Sequence, residues 1–160
     1  MTPRRVPKRI EVRHDAWEDL VATAQSAFPT ETGGILLGYR IERGVHVAAG
    51  LEVPDPNAGP TDYLFRQEAA QQRLDEALRE LQPSSPVGYV GDWHSHPGPI
   101  GPSPIDRRSL RGSSRHYQAG IAALVLVWTN NQWAAHGLAA QRRRLRTAPV
   151  DVINNGVLRG

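Results

Sequence analysis

Two histidines one residue apart stand in the run Gly91-Asp92-Trp93-His94-Ser95-His96-Pro97, and the carboxylate of Asp106 follows a short stretch rich in Gly and Pro. In a strand, residues i and i+2 point to the same face, so His94 and His96 at a strand end aim two imidazoles at one point. The reversal through Gly98-Pro99-Ile100-Gly101-Pro102 lets the next helix bring Asp106 back to that point. Two imidazoles and one carboxylate form a zinc ligand set that leaves the fourth tetrahedral position to water, whose pKa zinc lowers from about 15.7 towards 7. A water nucleophile also needs a base that takes its proton and passes it to the leaving amine. Glu31, just ahead of Gly33-Gly34 and a strand, is the candidate if that strand lies beside the one carrying His94.

Each feature taken alone has a plainer reading. A His-x-His pair is often two exposed histidines. Ser103-Pro104-Ile105-Asp106 is also a helix-capping box, in which Asp106 reaches back to the Ser103 backbone. Glu31 alone is an ordinary surface acid. Asp92 shares the strand face of the two histidines and is either a carboxylate orienting one of them or a solvated acid. Trp93 points the other way, into the core, and Thr32 is placed to position Glu31 or a substrate backbone.

The elements that must hold these residues read as a mixed order. His14 to Ala27 carries Trp17, Leu20, Val21 and Ala24 at helical spacing and stops before Pro29. Gly34 to Ile41 and Val45 to Val53 read as strands with a turn at Glu42-Arg43-Gly44, followed by a loop from Pro54 to Pro60. A helix runs from Arg66 to Leu81, and a strand from Val87 to His94. Ser103 caps a helix that has Pro104 in its first turn. Ile121 to Trp128 is a buried strand that Asn130-Asn131 turns into a partner, Gln132 to Leu138.

Composition fits one soluble domain: 160 residues, 39% hydrophobic and 22% charged. No apolar run approaches the roughly 20 residues of a membrane span. The basic N-terminus has no apolar stretch behind it and is not a secretory signal, so the cytoplasm is the expected location. With no cysteine, disulfides, thiol nucleophiles and thiolate metal sites are excluded. The net charge is +3 and Lys8 is the only lysine among 19 basic residues. Such an arginine bias reads as genome composition, and nucleic-acid binding is not expected despite clusters at Arg4 to Arg9 and Arg142 to Arg146.

Together, Glu31-Thr32-Gly33-Gly34, His94-Ser95-His96-Pro97 and Ser103-Pro104-Ile105-Asp106 resemble the JAMM, or MPN-plus, metallopeptidases in their compact bacterial form. Only five residues separate Pro97 from Ser103 where that family usually has six. The resemblance implies an α/β (α+β) fold: a single domain with a central mixed β-sheet flanked by helices, cytidine-deaminase-like. It implies one zinc ion per chain on His94, His96 and Asp106, with Glu31 as general base and Ser103 donating to the oxyanion. The expected domain spans residues 10–140, with 1–9 a basic N-terminal arm and 141–160 an Arg-rich C-terminal segment.

The activity implied is cleavage after the C-terminal glycine of a ubiquitin-like protein, as isopeptidase or processing protease. The implied setting is a bacterial conjugation operon, some of which are antiviral, with that operon's enzymes as further partners. The tail could add as a strand to an exposed sheet edge beside the site. Two alternatives stay open: a JAMM-type peptidase acting on a sulfur-carrier protein, and a non-catalytic MPN scaffold that binds a partner.

Overall fold

The computed structural model describes residues 5–117 and 119–154. Residues 1–4 of the expected arm and 155–160 of the expected C-terminal segment lie outside the described residues. The elements run β1 (Arg9–Arg13), α1 (His14–Ala27), β2 (Gly33–Ile41), β3 (Gly44–Glu52), α2 (Gln67–Arg79), β4 (Gly88–His96), α3 (Pro104–Ser114), β5 (Ile121–Thr129), β6 (Gln132–Gln141), β7 (Arg144–Ala148) and β8 (Val150–Ile153). The turns are those their residues allow. Asn130 and Asn131, at φ of 51° and 59°, close the two-residue β5–β6 hairpin, and asparagine tolerates that left-handed backbone.

All eight strands join one mixed sheet in the order β7-β6-β5-β4-β2-β3-β1-β8. β4 pairs parallel with β5, and β1 parallel with both β3 and β8; the other pairings are antiparallel. The two outermost strands are consecutive in sequence, with only Pro149 between them. Seven gaps of about 4.8 Å would put the edges of a flat sheet roughly 34 Å apart. One residue cannot span that, so the sheet is curled until its edges meet, and β8 indeed touches β6 as well as β1. Register breaks at Leu37/Gly38 against β3 and at Leu36/Leu37 against β4 supply local bends.

The curl gives the sheet an inner and an outer face. Ala16, Leu20 and Ala24 of α1, spaced one turn apart, fill the inner face together with Ile10, Val12, Leu36, Val45, Val47, Trp93, Leu124 and Leu126. Trp93, 1% exposed, donates its indole N–H to the Leu51 carbonyl at 3.1 Å, so the expected core role holds. On the outer face α3 covers Ile121, Ala123 and Leu138, while Ala70 of α2 covers Ile35 and Val53. Tyr89 on β4 packs against both of these outer clusters and forms the floor of a cleft between α2 and α3.

The expected domain limits shift. The boundary at residue 10 falls inside β1 and the one at residue 140 inside β6, because β7 and β8 complete the sheet. Arg-Ile-Glu-Val-Arg and Arg-Leu-Arg-Thr-Ala alternate as strands do, but their charges mask the pattern. Arg142, Arg143, Arg144 and Arg146 are exposed on the β6–β7 hairpin, where charge protects an edge strand from pairing with another chain. No helix among the described residues is long and apolar enough to cross a membrane.

Candidate metal centre

β2 lies antiparallel beside β4 with Gly33 opposite His94, so the segment leading into β2 ends at the two histidines. That neighbourhood brings Glu31 to the site. The register also explains Gly33: a Cβ there would sit 2.5 Å from the Trp93 carbonyl oxygen and 2.8 Å from the Tyr63 ring. Loop residue Tyr63 covers Gly33 in this way and is anchored by its hydroxyl, which donates to the Val53 carbonyl at 2.7 Å.

His94 and His96 project from the end of β4 with their Nε2 atoms 3.1 Å apart. Asp106, at the third position of α3, places Oδ1 3.1 Å from His94 Nε2 and Oδ2 3.6 Å from His96 Nε2. A tetrahedral ion with bonds of about 2.0–2.1 Å spaces its ligand atoms about 3.3–3.4 Å apart. The spacings, with the two carboxylate oxygens each facing one imidazole, are close to that value, and these three residues could hold a metal ion. Glu31 stands just outside this group, with Oε1 3.8 Å from His96 Nε2. All four side chains are between 10% and 19% exposed.

The helix start positions Asp106. Ser103 Oγ accepts from the Asp106 N–H at 3.1 Å, and the Ser103 N–H donates to Asp106 Oδ2 at 2.7 Å. The capping box is thus present, and it presents the same carboxylate to the histidines, so the two readings of this motif coincide. The Ser103 hydroxyl also bonds to the Asp106 carboxylate and helps to lower its pKa. Burial raises the Asp106 carboxyl, but the His94 hydrogen bond and charge, with the Ser103 N–H, outweigh it and hold the group at about 2.

His96 is oriented from behind by the shortened loop. Ile100 N–H bonds to the Gly98 carbonyl at 2.8 Å, and this tight turn returns the Ile100 carbonyl to His96 Nδ1 at 2.7 Å. With Nδ1–H donated there, the lone pair of the neutral ring lies on Nε2, facing the site. Burial lowers the His96 pKa and so favours that neutral form. Burial acts on Glu31 in the opposite sense and pushes its carboxyl up to about 7, where a group can both take and return a proton near neutrality.

The sequence did not mark Ser95 as part of the site. Fully buried between the two histidines, it exchanges bonds with the strand entry: Ser95 N–H to the Thr32 carbonyl at 2.8 Å, and Thr32 N–H to Ser95 Oγ at 3.0 Å. Thr32 in turn donates its hydroxyl to Glu52 at 2.7 Å, and the Glu31 N–H donates to the Gly59 carbonyl at 2.8 Å. These bonds clamp the chain on both sides of the Glu31 side chain, which locates the positioning role expected of Thr32. Ser95→Ala leaves the buried Thr32 N–H without its acceptor and should destabilise the fold by about 1–3 kcal/mol in urea denaturation. An unchanged midpoint would show that the clamp is dispensable.

Asp92 differs from the expectation of a carboxylate behind a metal-ligating histidine. The bulge at Leu36/Leu37 interrupts the alternation of β4, so that Tyr89 and Asp92, three residues apart, share the outer face. The Tyr89 hydroxyl donates to Asp92 Oδ1 at 2.7 Å, and the carboxylate lines the cleft between α2 and α3. Burial raises Asp92 to about 6, against the opposing effects of the Tyr89 bond and the His94 charge. Among the described residues there is also no sheet edge beside the site. β4 is paired on both sides, by β2 and β5, and the two edges are β7 and β8.

A family model described as prokaryotic homologs of the JAB domain matches residues 13–145. No curated protein matches the chain. Among solved structures, the solution structure of a protein from Desulfitobacterium hafniense superposes with a TM-score of 0.69 at 18% identity, covering 91% of this chain and 94% of that one. At that identity the likeness speaks for the fold alone. With the family model spanning most of the sequence, the chain belongs to the prokaryotic JAB-domain family.

Proposed function

We propose that this chain is a zinc-dependent peptidase that cleaves after the C-terminal glycine of a ubiquitin-like protein. The observation that carries the reading is the convergence of His94, His96 and Asp106, their ligand atoms within 4.8 Å of one another, with the Glu31 carboxylate 3.8 Å from His96 Nε2. Metallopeptidases occur within the JAB family, and three protein ligands are what a catalytic rather than a closed structural zinc site uses.

Bound there, zinc would polarise a carbonyl and make water acidic near neutral pH. The chain's own residues do the rest. Glu31, with its pKa near 7, accepts a proton from the attacking water and returns it to the leaving amine. The Ser103 hydroxyl donates to the oxyanion that develops on the scissile carbonyl. Both groups are held before substrate arrives, Glu31 by the Ser95–Thr32 clamp and Ser103 by its cap. Because β4 has no free edge, the substrate tail lies along the outer face rather than joining the sheet. The Tyr63 ring over Gly33 narrows the approach to His94, which favours a residue without a side chain at the scissile position.

The test is direct. Zinc-loaded protein is incubated with ubiquitin-like proteins extended past their terminal glycine, beside sulfur-carrier proteins extended in the same way, and the products are weighed by mass spectrometry. Cleavage after the glycine should disappear with a chelator and return with added zinc. The preferred fusion separates a role in a conjugation operon, with that operon's enzymes as partners, from one in sulfur transfer. Fusions left intact by folded, zinc-loaded protein would refute the peptidase reading and favour a scaffold that only binds.

A further inference from the structure

The cleft between α2 and α3 holds a cavity of about 310 Å³, at the small end of ligand pockets, which run roughly 300–1,000 Å³. That is room for a side chain rather than a cofactor. Its lining mixes apolar and aromatic groups, Phe65, Leu74 and the Tyr89 and Tyr117 rings 4.9 Å apart, with polar ones that include Gln71 and His116. At its base stands the Asp92 carboxylate, with Oδ1 taken by the Tyr89 hydroxyl. Among the described residues, no arginine or lysine lines this cavity and none forms an ion pair with Asp92. Two histidines stand near Asp92, His94 two residues along β4 and His116 in the cavity lining, but among the described residues no permanent cation pairs with this carboxylate, which beside aromatic rings is complementary to a cation on an apolar stem.

We propose that this cavity is a specificity pocket for a basic side chain, lysine or arginine, of the substrate. The assignment rests on the peptidase reading only in supplying a substrate chain. Asp92 precedes His94 by two residues, about 7 Å along β4. An extended substrate on the outer face would carry the basic residue within about four positions of the scissile bond. Its stem packs between Phe65 and the tyrosine pair, and its head meets Asp92 with the Gln71 side chain at the rim. The Gln71 amide donates to Asp75, which leaves its carbonyl oxygen as an acceptor.

The test separates binding from catalysis. Acetyl-arginine amide and its neutral isostere acetyl-citrulline amide are titrated into the full chain and followed by amide chemical shifts, with and without zinc. The arginine probe should shift the signals of Tyr89, Tyr117 and Gln71 and bind about tenfold more tightly than citrulline. Asp92→Asn keeps the shape and an acceptor for Tyr89 and should abolish that preference. Gln71→Arg, on an exposed helical position, places a competing cation at the rim and should do the same with the carboxylate intact. Equal binding of the two probes, or a preference that survives both variants, overturns the assignment. A preference that follows Asp92 in a protein that cleaves no fusion upholds the pocket and refutes only the peptidase reading.

Discussion

Dialysed against buffer free of metal after loading, the protein should retain one zinc ion per chain, and His96→Ala and Asp106→Ala should lose it. Three side chains make up the candidate ligand set among the described residues, so each variant removes a third of it. Outer partners of metal ligands cost 10–100-fold in affinity when removed, and loss of a ligand itself should exceed about 100-fold. Asp106 also caps α3, so its removal could act through the fold. Asp106→Asn separates the two: an amide oxygen still accepts the Ser103 N–H, yet the ligand charge is gone. It should fold with a melting temperature near that of the wild type and still bind zinc weakly. The wild type should melt higher with zinc than without, because an ion that binds only the folded chain stabilises it by mass action. Stoichiometric zinc in all three variants would place the ion elsewhere.

Glu31→Gln should keep the zinc and lose the reaction. The substitution preserves shape and leaves the Glu31 N–H bond to Gly59 in place, but the amide cannot take up a proton. General-base catalysis contributes about 10²–10⁴-fold, so kcat on a cleaved fusion should fall by that factor, equivalent to about 3–5 kcal/mol, with KM little changed. Two outcomes would sink the assignment. A preserved rate means that another group moves the proton. A lost zinc ion means that Glu31 is a fourth ligand, against which stands its place outside the group of ligand atoms within 4.8 Å of one another.

The meeting of the candidate ligands was legible because its parts are local. His94 and His96 share a face through the two-residue period of a strand, and Ser103 and Asp106 meet through the first turn of a helix. Both relations hold wherever those elements sit. The hairpins and the three helices could be read for the same reason, since Asn130-Asn131 and Ser103-Pro104 encode their own turns. Tertiary structure decided what depends on residues far apart in the chain. Glu31 reaches the histidines only because β2 pairs with β4 in a register that sets Gly33 against His94, and Ser95 clamps it there across 63 residues. The bulge that brings Tyr89 onto the face of Asp92, and the closure of the sheet by β7 and β8, cannot be read from their own segments. A strand's period fixes which side chains share a face, but its neighbours, register and bulges come from burying that face against the rest of the chain.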